Sequence, residues 1–227
     1  MTINTVSILS TPGTMPAMTT ARLARGRRQS RPSGDDRQLA ILTTAERLLA
    51  ERDFADISID DLARGAGISR PTFYFYFPSK VAVLLTLLDR VVQEAERATG
   101  DVLRRVAEDP RARWRQAIAR FYETFDRHRA VALACARVQH ANPEVRALWS
   151  AVMEGWVTRT QSAIQAERRR GAAPPGLPAR DLAIALNAMN ERVFYGMFSG
   201  IEPVIARGKV VDVLLEVWLR TVYGSSP

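Results

Sequence analysis

The 227-residue chain has one cysteine, Cys135, so no disulfide can form within it and a reducing cytosol is the default compartment. It has two histidines, His128 and His140, and neither has a Cys or His partner at metal-ligand spacing. No phosphate-cradling glycine loop and no serine elbow is present. No metal or cofactor is therefore expected, and no nucleophile–base constellation supports catalysis. No apolar run approaches the ~20 residues of a membrane span, and the start lacks the features of a secretory signal. A cytoplasmic, non-membrane protein is expected. Strand-like alternation and internal repeats are also missing.

What remains is helical pattern and arginine. Net charge is +8, with 32 basic against 24 acidic residues. Residues 1–36 carry Arg22, Arg25, Arg27, Arg28 and Arg31 against Asp35 and Asp36, residues 37–90 balance, and residues 91–227 hold a diffuse excess. The tight basic cluster therefore lies in a Ser/Thr/Pro/Gly-rich segment, 1–35, expected to be a disordered arm. Met15 and Met18 are alternative starts within it.

From residue 36 the apolar residues recur at helical steps. Leu39, Leu42, Ala45, Leu48 and Leu49 predict a first helix to about Glu51. In "DISIDDLARGAGIS", Ser58 predicts the N-cap of a second helix that Gly67 ends in the left-handed conformation. Ser69 predicts the cap of a third, short helix, with Pro71 tolerated in its first turn and Pro78 stopping it. Ser79 then caps a long helix starting at Lys80. Further helices are predicted over 111–128, 130–139, 143–170, 178–198 and 208–223. The fold class is all-α: a three-helix helix-turn-helix unit over 36–80 and a larger helical domain over 81–227.

The third helix carries five adjacent aromatics, Phe73 to Phe77, in "GISRPTFYFYFPSK". At ~100° per residue, Phe73 and Phe77 fall about 40° apart on one face. Pro71, Thr72 and Phe75 fall on the other, with Tyr74 and Tyr76 on the flanks. The inward pair can anchor the helix. The outer face suits a DNA major groove, with Arg70 for guanine or phosphate, Phe75 and the Thr72 methyl for thymine methyls, and tyrosine hydroxyls for phosphates. Lys80, at a helix N-terminus, is expected to share a phosphate with free amides. Arg25, Arg27 and Arg28 of the arm can follow the backbone or the minor groove. With the capping Ser58 and Ser69, these residues form the expected DNA-binding set. The alternative is an aromatic run that only plugs a helical core.

Three stripes mark the C-terminal region: Trp114, Phe121 and Phe125; Trp149, Met153 and Trp156; and Asn187, Asn190 and Phe194. The first two, taken singly, read more simply as plain core than as a pocket. Two amides on the apolar helix "LAIALNAMNERVF" are costly to bury without partners, which favours an apolar cavity with polar anchors.

The stretch "AERLLAERDFADISIDDLARGAGISRPTFYFYFPSKVAVL" resembles the DNA-binding domain of the TetR family of bacterial repressors across residues 37–90. "ARGRRQSRPSGDDRQLAIL", "WSAVMEGW" and "LNAMNERVF" extend the likeness, from about residue 18, to a mycobacterial member of that family. The resemblance implies a homodimeric repressor that binds operator DNA, is released by a hydrophobic small-molecule effector, and controls a neighbouring flavin monooxygenase gene. It implies a pocket wall of Trp114, Phe121, Phe125, Trp149, Met153, Trp156, Asn187, Asn190, Glu191 and Trp218, to which the third stripe adds Phe194. Arg113, Ala136, Arg159 and Tyr195 depart from the pattern. It also implies a dimer interface on the last two helices, with Leu182, Leu186, Val193 and Met197 on one and Val211, Leu214, Leu215 and Trp218 on the other. The effector is expected to push the helix that begins at Lys80. Two other readings stay open: a non-sequence-specific DNA-binding protein, and an all-α enzyme using the pocket.

Overall fold

The computed structural model describes residues 34–224. Among these there are nine α-helices and no strand: α1 Gly34–Glu51, α2 Ile59–Gly65, α3 Arg70–Tyr76, α4 Lys80–Arg104, α5 Pro110–Arg127, α6 Arg129–Val138, α7 Pro143–Arg169, α8 Ala179–Ser199 and α9 Val210–Tyr223. The expected starts and stops hold to within two residues. The arm arginines Arg25, Arg27 and Arg28 lie outside the described residues.

Side-chain caps explain where the helices begin. Ser58 Oγ accepts from the Asp61 amide at 3.1 Å, and the Ser58 amide donates to Asp61 Oδ2 at 3.0 Å, a reciprocal capping box. Ser69, Ser79, Asp109 and Asn142 cap α3, α4, α5 and α7, each with a side-chain oxygen that accepts from the amide three residues on. The turn between α2 and α3 depends on two glycines. Gly67 has a φ of +67°, and a Cβ on Gly65 would stand 2.3 Å from Thr44 Cγ2 of α1. The second constraint lets α1 and α2 approach closely.

One apolar cluster begins with Ile41, Leu62, Phe73 and Phe77 of the first three helices and continues through Leu84 and Leu88 of α4 to Val131 and Cys135 of α6. The helix-turn-helix unit therefore has no core of its own and shares one with α4 and α6. A second cluster gathers Trp114, Ile164, Leu214, Trp218 and Leu219 from α5, α7 and α9. At its edge the Glu167 carboxylate, 1% exposed, accepts from the Tyr223 hydroxyl at 2.7 Å and from Arg170 Nε at 2.8 Å. Tyr223 in turn accepts from Trp114 Nε1 at 3.0 Å, so these three buried polar groups satisfy one another and tie α5, α7 and α9 together.

The second cluster corrects half of the expected dimer seam and leaves Leu182, Val193, Met197 and Val211 partly exposed. Leu186, Leu214, Leu215 and Trp218 are buried within the protomer and have no surface to offer a partner. The outward apolar residues of α8 and α9 are Ile184, Val213 and Val217, exposed by 45%, 41% and 39%. The periodicity of α8 and α9 marks apolar positions on both sides, and packing against α5 and α7 decides which side is already covered.

Candidate functional site

Two regions bring the singled-out residues together. On α3, Phe73 is fully buried and Phe77 nearly so, while Phe75 is 83% exposed and Tyr74 45%. Tyr76 is half-buried and meets Phe75 edge-on at 5.3 Å. Arg70, Pro71 and Thr72 are at the surface, and Arg70 Nη1 reaches Asp60 of α2 at 3.1 Å. That exposed pair is weak and can be exchanged for a phosphate or a base edge. A large aromatic ring left 83% exposed, touched only edge-on by a phenol, is not part of the core of the free protein.

Three members of the DNA-facing set have other duties. Ser58 Oγ also donates to Asp61 Oδ2 at 2.6 Å, and these contacts hold the Asp61 carboxyl down at about 2; Ser69 Oγ is shared between the Thr72 amide at 3.3 Å and the Thr72 hydroxyl at 2.8 Å. Both side chains are used as caps. Lys80 is a plain correction. Its Nζ donates to the carbonyls of Phe54, Ala55 and Ile57 at 2.9, 3.1 and 2.8 Å and sits 4.7 Å from the Phe54 ring centroid. All three ammonium protons are occupied, so none is left for a phosphate. A lysine at a helix N-terminus suggests an anion, but the 3₁₀ turn Phe54–Asp56 brings carbonyls there instead.

The second region is a cavity of about 640 Å³ between α5, α6, α7 and α8. Nine of the eleven expected residues line it: Phe121, Phe125, Trp149, Met153, Trp156, Asn187, Asn190, Glu191 and Phe194. Trp114 and Trp218 do not. Their rings meet at 5.1 Å, tilted by 50°, behind the wall and border a separate void of about 40 Å³. Of the departures from the family pattern, Ala136 and Tyr195 line the cavity, whereas Arg159 pairs with Glu96 of α4 and Arg113 with Glu108. Sequence reasoning missed Leu133, Arg137, His140, Arg192 and Phe198. The α6 residues among them carry no pattern that separates a cavity wall from a packed helix.

The polar anchors are themselves positioned. Asn187 Nδ2 donates to Thr160 Oγ1 at 3.1 Å and to the Ala183 carbonyl at 2.8 Å. Trp218 Nε1 donates to Asn190 Oδ1 at 3.1 Å, and Trp149 Nε1 to Glu191 Oε1 at 2.9 Å. This leaves the Asn187 oxygen and the Asn190 nitrogen for a ligand. Trp156, on the same wall, has a buried indole N–H with no partner, and an acceptor atom in the cavity would satisfy it.

Helix α4 contributes nothing to the wall of this cavity, which corrects the expectation of a direct push on it. Helix α6 does contribute, and it also reaches the helix-turn-helix unit twice. Arg137 ion-pairs with Asp53 in the loop after α1, and His128, at the start of α6, bridges Glu46 of α1 at 2.5 Å and Glu94 of α4 at 3.2 Å. Among the described residues, no cluster able to hold a metal ion occurs and no helix is long and apolar enough to cross a membrane.

Comparison with known proteins agrees with this layout. Residues 41–87 match the family described as bacterial regulatory proteins, tetR family, and residues 114–224 match the C-terminal domain of the transcriptional regulator EthR. The HTH-type transcriptional regulator EthR of Mycobacterium tuberculosis is 53% identical over 214 residues, covering 94% of this chain and 99% of its own. Its Mycolicibacterium smegmatis counterpart is 48% identical over 213 residues, covering 92% and 98%. Among solved structures, NalD, a secondary repressor of a multidrug efflux pump in Pseudomonas aeruginosa, superimposes with a TM-score of 0.67 at 20% identity, covering 83% of this chain and 98% of that one. These families and relatives are transcriptional regulators and not enzymes. The chain belongs to the TetR family of helix-turn-helix transcriptional regulators and is EthR-like along nearly its whole length.

Proposed function

We propose that the protein is a homodimeric repressor that binds operator DNA through α3 and releases it when an apolar effector fills the cavity. Within this reading, residues 36–80 recognise DNA, residues 81–227 hold the effector and the partner protomer, and the protein acts in the cytoplasm, where the operator is. The observation that carries it is Phe75, which at 83% exposure lies on the outer face of a helix whose other two phenylalanines are buried. The groove is its burial partner, and Arg70, Thr72, Tyr74 and Tyr76 surround it with donors and a methyl group.

Dimerisation through Ile184, Val213 and Val217 would set the spacing of two α3 helices, which must match half-sites about 34–36 Å apart or a multiple of that. An effector that favours one position of α6 shifts the helix-turn-helix units through Arg137–Asp53 and His128–Glu46, and so changes that spacing. The likeness to EthR supports a monooxygenase gene beside this one as the target.

Fluorescence anisotropy with the upstream intergenic DNA tests the core of the proposal. The wild type should bind one upstream fragment in preference to competitor DNA. Phe75→Ala and Arg70→Ala should weaken that binding more than they weaken binding to unrelated DNA. Equal binding to all duplexes would favour a non-specific DNA-binding protein, and no binding at low salt would overturn the proposal.

A further inference from the structure

The cavity is apolar inside but not at its edge. Phe125, Trp156 and Phe194 are buried, whereas three basic residues of the lining, Arg137, His140 and Arg192, are exposed and so form its solvent-facing rim. Against them stands Glu191, one oxygen of which already accepts from Trp149. Arg192 lies over the Tyr195 ring at 5.7 Å, and among the described residues no carboxylate is within ion-pairing distance of it. Arg137 does have a carboxylate, Asp53, but both side chains are more than half exposed. Such a pair contributes little and is readily exchanged.

We propose that the effector is an apolar molecule ending in a carboxylate, and that its head group binds the Arg137–Arg192 rim and takes Arg137 from Asp53. This rests on the ligand-responsive reading of the same cavity and adds a ligand class and a trigger. The tail gains by burial among the aromatic rings, which an exposed surface could not provide. The head gains a bidentate ion pair with guanidinium groups, which a neutral ester cannot form. Asp53 opens the 3₁₀ turn whose carbonyls hold Lys80 at the head of α4, and that turn runs directly into the capping serine of α2. Loss of Arg137 from Asp53 therefore releases α6 from the loop that orders both the recognition unit and the start of α4. Ligand and Asp53 compete for one guanidinium, so by linkage DNA binding and carboxylate binding oppose each other.

Decanoate, methyl decanoate and decylammonium, titrated against the full-length protein by tryptophan fluorescence, separate head group from tail. Decanoate should bind roughly tenfold more tightly than the ester, and decylammonium more weakly than either. Arg137→Gln and Arg192→Ala should each bring the acid down toward the ester, lowering acid affinity several times more than ester affinity. Asp53→Asn lies outside the cavity and removes the competitor. It should raise decanoate affinity up to about fivefold and blunt the effect of decanoate on operator binding. An ester as tight as the acid, or an ammonium tighter than both, would overturn the carboxylate while leaving an apolar-effector cavity intact. An Asp53→Asn protein with unchanged decanoate affinity would overturn the exchange. No response to any of the three probes would overturn this inference together with the effector role of the cavity.

Discussion

Replacing Lys80 by methionine keeps most of the buried stem and deletes the ammonium alone. The wild-type Nζ donates to three carbonyls, and its bonds to Phe54 O and Ile57 O are partly buried, so water replaces them poorly. Two such acceptors left unpaired at about 1 kcal/mol or slightly more each, with about 0.5 kcal/mol for the cation over the Phe54 ring, give a loss near 3 kcal/mol. The Ala55 carbonyl is exposed and adds little. For a chain of this size that is a fall in melting temperature of roughly 6–12 °C. Calorimetry or circular dichroism reads it directly. The same variant should show an unchanged slope of log binding constant against log salt for operator DNA, because Lys80 neutralises no phosphate. An unchanged melting temperature with a slope smaller by about 0.9, the value for one lost phosphate contact, would refute the reasoning and restore Lys80 to the DNA-binding set.

Other consequences are independent of that residue. Val217→Glu alters an exposed apolar position of α9, so light scattering should show monomers while the melting temperature of the protomer changes little; a dimer that persists would exclude this face. Asp61 has its pKa lowered to about 2 by the Ser58 hydroxyl and amide, so its stabilising effect is complete above about pH 4 and lost as pH falls toward 2. Denaturant midpoints of Asp61→Asn should therefore be flatter than wild type between pH 4 and 2, and parallel curves would contradict the capping assignment. Burial pushes the Cys135 thiol up to about 12, so a thiol reagent should label it only after denaturation; rapid labelling of the native protein would show that α6 opens.

The helices, their caps and the sorting of the α3 aromatics were legible in the sequence because each follows from short-range geometry. Ser58, Ser69 and Ser79 begin helices by satisfying amides within three residues, and Phe73, Phe75 and Phe77 separate by helical rotation alone. The nine cavity residues were legible through helical stripes and, for Glu191, through the resemblance to a known family. Fold class and helix order follow from these local rules.

Tertiary structure decided everything that depends on which side of a helix is already covered. Leu214 and Trp218 carry the same apolar signal as Val213 and Val217, yet packing on α5 and α7 buries the first pair and leaves the second in water. Lys80 has the local setting of an anion site, but a turn 23 to 26 residues earlier in the chain fills it with carbonyls. Arg137 gives no sign in the sequence that it stands both on a cavity wall and against the loop after α1. Periodicity records a residue's position on its own helix, whereas its partner is fixed only when distant helices are brought together.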